Sequence, residues 1–204
     1  MKKRLLPITL ILLIPIVLLI IVAVAGIYRF SLSDEEILAK FPSQVSTQDA
    51  IMQSVFGIRT PNPWTVKIPE TSAFTFIDDV VQGNLLKGSY EDGAERGVVK
   101  IDSQKIVSLD TNTHISVLAL SNQGSGLFYY LMLSQYDEFR QRLITKDSVL
   151  LGDRIDVLTL EEGENQSVVV TFLEHEKGQA MAETPSKLVK RIFVVSDDGE
   201  LLSQ

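Results

Sequence analysis

The sequence predicts an α+β protein, mainly antiparallel β, in which one N-terminal transmembrane helix and a short helical neck precede a single β-rich extracytoplasmic domain. Three observations predict this class. Residues 5–28 form an uncharged apolar run, and two short segments with helical spacing follow it. From residue 63 onward, short runs rich in β-branched and aromatic residues alternate with turn residues. The predicted parts are a cytoplasmic tail (1–4), the transmembrane helix (5–28), the helical neck (29–62) and the β-rich domain (63–204).

The apolar run is long enough to cross a bilayer. Residues 5–28 contain no charged side chain. As a helix that rises about 1.5 Å per residue, the run would extend about 36 Å. A hydrocarbon core is about 30 Å thick, so the run spans it with some tilt. Pro7 and Pro15 do not argue against a span, because membrane helices tolerate proline.

The flanking charges predict the orientation of this helix. Lys2, Lys3 and Arg4 precede the run, whereas Arg29 is the one basic residue between the run and the acidic residues that begin at Asp34. The positive-inside rule therefore predicts a cytoplasmic N-terminus, with the rest of the chain extracytoplasmic.

A cleavable signal peptide is the alternative to an anchor. Ala23 and Ala25 form a small-residue pair before Gly26, as at a signal cleavage site. The apolar segment of a signal peptide is about 7–15 residues long, and this run is longer, which favours an uncleaved anchor. Cleavage after Ala25 would still export the domain.

Two helices are predicted in the neck. The segment Ser33-Asp34-Glu35-Glu36 matches a capping box, and the helix that it opens stops at Pro42. A second helix is predicted to start at Ser46 and to close at Gly57.

The strand pattern predicts an antiparallel domain. Strands are expected near 73–78, 84–90, 97–101, 114–121, 126–135, 154–161, 166–174 and 188–196. The loops at 122–126, 161–165 and 197–199 contain Gly or Asn, which are expected to supply the positive φ that hairpins need. The run Leu127–Leu133 is apolar at every position, which predicts a central strand covered on both faces, with the neck helices as one possible cover.

Composition excludes several chemistries. The chain has no cysteine, which rules out disulfides, thiol catalysis, cysteine-based zinc sites and a lipid-modified N-terminal cysteine. An exported domain without disulfides is typical of a bacterial envelope. Beyond the three N-terminal basic residues, the chain carries 16 basic and 26 acidic residues, a formal charge of −10. Such a charge repels phosphate, so no nucleic-acid partner is expected.

The residues that often carry catalysis do not form a recognisable motif here. Ser125 lies between two glycines, but a nucleophile elbow needs Gly at positions 123 and 127, where this chain has Gln and Leu. A hairpin turn is the favoured interpretation. The two histidines, His114 and His175, lie in or beside separate predicted strands, which favours structural roles over a base or a zinc ligand.

Acidic pairs and the single tryptophan are also interpreted as structural. Asp78-Asp79 and Asp197-Asp198 do not follow the spacing of an EF-hand loop, so solvated turn charges are favoured over calcium ligands. Trp64 is expected to plug the base of the domain rather than to rest on the membrane. No catalytic, cofactor-binding or metal-binding residue is therefore assigned, and no cofactor is expected.

An ordered set of short motifs resembles a family of uncharacterised bacterial proteins that are exported and held by an N-terminal anchor or signal. The matching pieces are Leu86–Tyr90, Ser121–Leu131, Leu151–Ile155, the valines at 168–170 and the stretch from Met181 to Phe193. Relatives carry an acidic, Gly-containing loop where this chain has residues 108–114, so ion binding by that loop is not expected here. The resemblance implies an envelope location and no known activity.

These observations favour a non-enzymatic interaction or scaffold module, attached to the membrane through residues 5–28 and able to bind an envelope protein. Two alternatives remain open. One is a hydrolase that acts on wall or glycan through two carboxylates. The other is a domain that binds a small ligand or lipid beside the strand at 127–133. The sequence does not determine an oligomeric state.

Overall fold

The computed structural model describes residues 10–31, 47–164 and 166–204. The chain divides into two compact units, Met1–Gln44 and Val45–Gln204. The helix predicted to open at Ser33 lies outside the described residues.

The first unit contains helix α1 (Leu10–Ser31), which continues through Pro15. Its apolar side chains are exposed, as at Leu19 (70%) and Val22 (69%). Among the helices of the described residues, none has the combination of length and apolar character needed to cross a membrane. Residues 5–9 of the predicted span lie outside the described part of the chain.

The second unit begins with helix α2 (Thr47–Phe56), and this helix confirms the prediction of a helix that closes at Gly57. Gly57 has a φ of +69°, its amide donates to the carbonyl of Gln53, and the amide of Ile58 donates to that of Met52. These two bonds form a Schellman cap, which needs a left-handed residue that glycine adopts without strain.

Twelve strands follow α2. They are β1 (Thr65–Lys67), β2 (Phe74–Phe76), β3 (Asp79–Val81), β4 (Leu85–Asp92), β5 (Glu95–Ser108), β6 (Thr113–Ser121), β7 (Phe128–Asp137), β8 (Arg142–Asp153), β9 (Asp156–Glu162), β10 (Ser167–Glu174), β11 (Lys187–Val195) and β12 (Leu201–Ser203). The predicted β-rich, mainly antiparallel class is confirmed. All pairings are antiparallel except that of β1 with β8.

The strands form two sheets. The first has eight strands in the order β2-β1-β8-β7-β6-β5-β4-β3, and the second has four in the order β12-β11-β10-β9. The two edge strands of the first sheet, β2 and β3, are separated by only two residues, Ile77 and Asp78. The first sheet therefore curls until its edges approach each other, and it has an inner and an outer face.

Two hydrophobic cores lie on these two faces. The inner core joins Ile51 and Met52 of α2 to side chains of the curled sheet, including Trp64. The outer core joins β6, β7 and β8 to the second sheet through residues such as Leu131 and Phe172. The layers are therefore α2, the eight-stranded sheet and the four-stranded sheet. Trp64 is 1% exposed, as expected for a plug in the domain.

The prediction for the run at 127–133 is confirmed for its buried part. Tyr130 and Met132 of β7 point into the inner core, whereas Leu131 and Leu133 point into the outer core. Adjacent residues of a strand face opposite sides, so a strand covered twice is apolar at every position. Helix α2 is part of the layer that covers the inner face of this strand.

Four strands were not predicted: β1, β3, β8 and β12. Strand β8 is the longest of these four. Its buried and exposed residues do not alternate regularly, because its register against β7 shifts at two places. It also carries charged residues, Lys146 and Asp147, in its middle. The other three have only three residues each, too few for a period to appear.

The predicted turn chemistry is partly wrong. Gly199 has a φ of +77° between β11 and β12, as expected. Gly124, Gly126 and Gly163 do not adopt a positive φ, and in the loop before β10 it is Gln166, with a φ of +58°, that does. In the loop at 122–126 the predicted Gly and Asn residues therefore do not supply a positive φ, whereas in the loop at 161–165 the prediction also allows Asn165, which lies outside the described residues.

Candidate functional site

The second unit contains a groove of about 550 Å³ on the outer face of the curled sheet, beside the edge strand β9. We call it the β5–β7 groove. It is lined by Leu85, Val98, Lys100, Asp102, Lys105, Val117, Ala119, Ser121, Gly124, Ser125, Gly126, Leu127, Tyr129 and Val157. Small-molecule sites commonly enclose about 300–1,000 Å³ and combine an apolar lining with a few polar groups, and this groove matches both properties.

The floor of the groove is apolar. Val117 and Val157 are buried, and Ala119 and Tyr129 are half-buried beside them. Burial, and then the charge of Asp156, raises the pKa of the Tyr129 phenol. The phenol therefore stays neutral at physiological pH and adds no charge to the floor.

Lys105 holds β5 against the edge of the second sheet. Its Nζ donates to the carbonyl oxygen of Val157 over 2.7 Å and lies 3.8 Å from Asp102 Oδ2. Asp102 Oδ1 in turn accepts from Asn84 Nδ2 over 2.9 Å. Lys105 therefore has its charge balanced by Asp102.

One wall of the groove brings together the loop at 122–126 and the turn at 152–154. The backbone N–H of Leu127 donates to Asp153 Oδ1 over 3.0 Å. Arg154 donates from Nη2 to the carbonyl and the hydroxyl oxygen of Ser125, and its Nη1 lies 3.8 Å from Asp153 Oδ2. The segment Gly152-Asp153-Arg154 thus forms a turn that braces the Gly-Ser-Gly loop. Ser125 accepts both of these hydrogen bonds from Arg154.

Gly126 is required in this wall. A Cβ at this position would lie 2.6 Å from the ring of Phe128. The glycine lets that ring pack against the loop, which gives Gly126 a packing role.

His114 lies on the inner face of the sheet, away from the groove. It is 4% exposed, its Nδ1 lies 2.8 Å from Ser108 Oγ, and its ring centroid is 4.6 Å from that of Phe56 in α2. Burial lowers the pKa of His114, and Asp110 opposes this shift only in part. The histidine is therefore held neutral in a core. His175 directly follows strand β10 of the second sheet. Its Nε2 lies 2.9 Å from the carbonyl oxygen of Glu183.

The acidic pair Asp197-Asp198 lies beside further charged residues. Asp197 and Asp198 line a cavity of about 310 Å³ together with Asp110 and Lys146. Within residues 10–31, 47–164 and 166–204, no group of three or more His, Cys, Asp or Glu side chains could hold a metal ion.

A carboxylate cavity that the sequence did not indicate lies at another edge of the curled sheet. Glu70 and Glu95 both line a cavity of about 330 Å³. Tyr90 donates to Glu95 over 3.0 Å and Tyr130 to Glu70 over 3.5 Å. Burial, and then the hydrogen bond to Glu95, raises the pKa of Tyr90 to about 12. The two glutamates are distant in the sequence, so no spacing pattern could have paired them.

Comparison with known protein families, with curated proteins and with solved structures found no match.

Proposed function

We propose that this protein is a single-pass, membrane-anchored binding module of the cell envelope, with its second unit on the extracytoplasmic side and no enzymatic activity. The observation that supports the binding role is the β5–β7 groove, because it joins an apolar floor to charged side chains of β5 and to a wall braced by Arg154. An envelope protein or a smaller ligand could occupy such a surface.

The membrane anchor is supported by the sequence and by the surface of α1. The uncharged run at 5–28 follows three basic residues. The helix α1 carries exposed apolar side chains on all sides, including Ile21 and Ile27. Exposed apolar residues over so many turns are unfavourable in water and favourable in lipid. The proposed span begins at Leu5, before the first described residue.

Single-cysteine labelling tests the orientation, and the cysteine-free chain provides a clean background. Phe139 is 95% exposed in the second unit. In spheroplasts, a membrane-impermeant maleimide should label Phe139→Cys, whereas Lys2→Cys should be labelled only after lysis. Both variants should remain in the membrane fraction after a carbonate wash, since an uncleaved helix holds them there.

The reverse labelling pattern would contradict the proposed orientation. Recovery of Phe139→Cys as a soluble protein that begins at Gly26 would show instead that the helix is a cleaved signal.

Native mass spectrometry of the full chain, purified from its own membranes, tests the binding function. The wild type should carry a bound molecule in addition to the chain mass. Ala119→Trp should lose this molecule, because the indole fills the groove above the half-buried Ala119. Ala182→Trp is the matched control, since Ala182 is exposed outside the groove. An empty wild type, or equal occupancy in Ala119→Trp, would contradict the role of the groove.

A carboxylate-dependent hydrolase is the second candidate function, and the cavity that Glu70 and Glu95 share is the observation that favours it. Paired carboxylates suffice for glycoside hydrolysis. The two functions use different parts of the unit. A glycan hydrolysis carried by this cavity would be lost in Glu95→Gln and kept in Ala119→Trp.

A further inference from the structure

Two lysines lie side by side at the β5–β7 groove, Lys100 in its lining and Lys87 next to Lys100 on β4, outside the lining. Lys100 lines the groove and is exposed. In the antiparallel pairing of β4 with β5, Lys87 is directly opposite Lys100. Directly opposite residues share a face and have Cβ atoms about 4.5–5.5 Å apart, so the two ammonium groups project from the same patch of the sheet.

The protein offsets the charge of this pair only in part, because Asp79 of β3 lies directly opposite Lys87 on its other side. Among the described residues, neither Lys87 nor Lys100 has a carboxylate oxygen within 4.0 Å of its Nζ. Like charges directly opposite each other destabilise a sheet. The pair is also unusual in a chain that carries 26 acidic residues against 19 basic ones. A bound anion would relieve the repulsion.

The same row of the sheet continues from positive charge into the apolar floor. Lys100 is opposite Ala119 in the pairing of β5 with β6, and Ala119 is opposite Tyr129 in the pairing of β6 with β7. All of these side chains face the outer side of the curled sheet. The groove therefore has a cationic end and an apolar end along one line. The charge of Lys105, the other lysine in the groove, is balanced by Asp102.

We infer that the β5–β7 groove binds a single-chain anionic amphiphile of the fatty-acid type, with its acid group at Lys87 and Lys100 and its hydrocarbon chain along the apolar floor. This inference rests on the proposed binding function and specifies its ligand.

Photocrosslinking of the full chain in lipid nanodiscs tests this assignment. The probes are a fatty acid that carries a diazirine, its alcohol analogue, and a two-chain anionic phospholipid with the same diazirine. Mass spectrometry then compares labelling of groove peptides with labelling of α1, which reports the probe dissolved in the bilayer. The acid should label the groove about tenfold more than the alcohol, as one charge-assisted contact implies. The phospholipid should label α1 only.

Matched variants test separately the charge of the two lysines and the free volume of the groove. Lys87→Gln with Lys100→Gln should reduce groove labelling by the acid to the level of the alcohol, and Ala119→Trp should abolish labelling of the groove by both. Lys190→Gln should behave as the wild type, because Lys190 is an exposed lysine of β11 outside the groove.

The outcomes distinguish the inference from the function on which it rests. Equal groove labelling by acid and alcohol that Ala119→Trp abolishes would overturn the anionic ligand and leave the binding function intact. Labelling of the groove by the phospholipid would overturn the single-chain assignment. No groove labelling by any probe, together with an empty wild type in native mass spectrometry, would overturn both.

Discussion

Replacing Phe172 with alanine is expected to lower the free energy of unfolding by about 3–5 kcal/mol, the usual cost of removing a fully buried phenylalanine. Phe172 is 0% exposed in the outer core between the two sheets. The guanidinium carbon of Arg191 also lies 5.2 Å from the centre of its ring, a contact that contributes further. Urea unfolding of the full chain in nanodiscs measures the change.

The fluorescence of Trp64, the single tryptophan, reports this unfolding. Trp64 lies in the inner core, so a shifted midpoint in Phe172→Ala would show that both cores unfold together. Phe139→Ala is the control and should change stability by less than about 0.5 kcal/mol, because Phe139 is 95% exposed. An unchanged Trp64 midpoint in Phe172→Ala would mean that the second sheet unfolds independently.

Gly88→Ala is expected to destabilise the second unit by about 2–4 kcal/mol, through overpacking and a lost hydrogen bond. A Cβ at position 88 would lie 2.5 Å from the carbonyl oxygen of Phe76 and 2.7 Å from Thr75 Oγ1. Thr75 Oγ1 donates to the carbonyl oxygen of Ser89 over 2.7 Å, and this contact joins β2 to β4. The added methyl group would push apart the strands whose approach closes the curled sheet.

Gly124→Ala is the control for this substitution. The nearest atom to a Cβ at position 124 is Asn122 Oδ1 at 3.3 Å, the end of a side chain that can rotate, and we expect a change within about 0.5 kcal/mol. The same urea titration measures both variants. Equal stability of Gly88→Ala and the wild type would show that β2 and β4 are not held in close contact in solution.

Much of the fold follows from local patterns. The helix that ends at Gly57, the central strand at 127–133 and the antiparallel class were predicted from periodicity and turn residues, and the structure agrees. Strand β8 was not predicted, because its register shifts twice against β7 and interrupts the alternation on which such a prediction depends. Strand β1 joins the sheet by pairing in parallel with β8, and no local sequence pattern predicts this pairing.

Less of the candidate site could be predicted from the sequence. The motifs at 121–131 and 151–155 were recognised separately, and only the fold shows that Asp153 and Arg154 brace the Gly-Ser-Gly loop. No sequence pattern indicates the lysine pair, because Lys87 and Lys100 become neighbours through the register of β4 with β5. A one-residue change of register would place them on opposite faces.

The sequence by itself determined the apolar run at 5–28, the acidic and cysteine-free composition, and the β-rich class, because each depends on residue type or on a short period along the chain. The tertiary structure decided which faces are covered and which stay open. Burial of Leu131 and Leu133 beneath the second sheet leaves the outer face near Ala119 and Tyr129 as a groove. Contacts between distant strands create that groove, and strand registers leave no mark in the local pattern of residues.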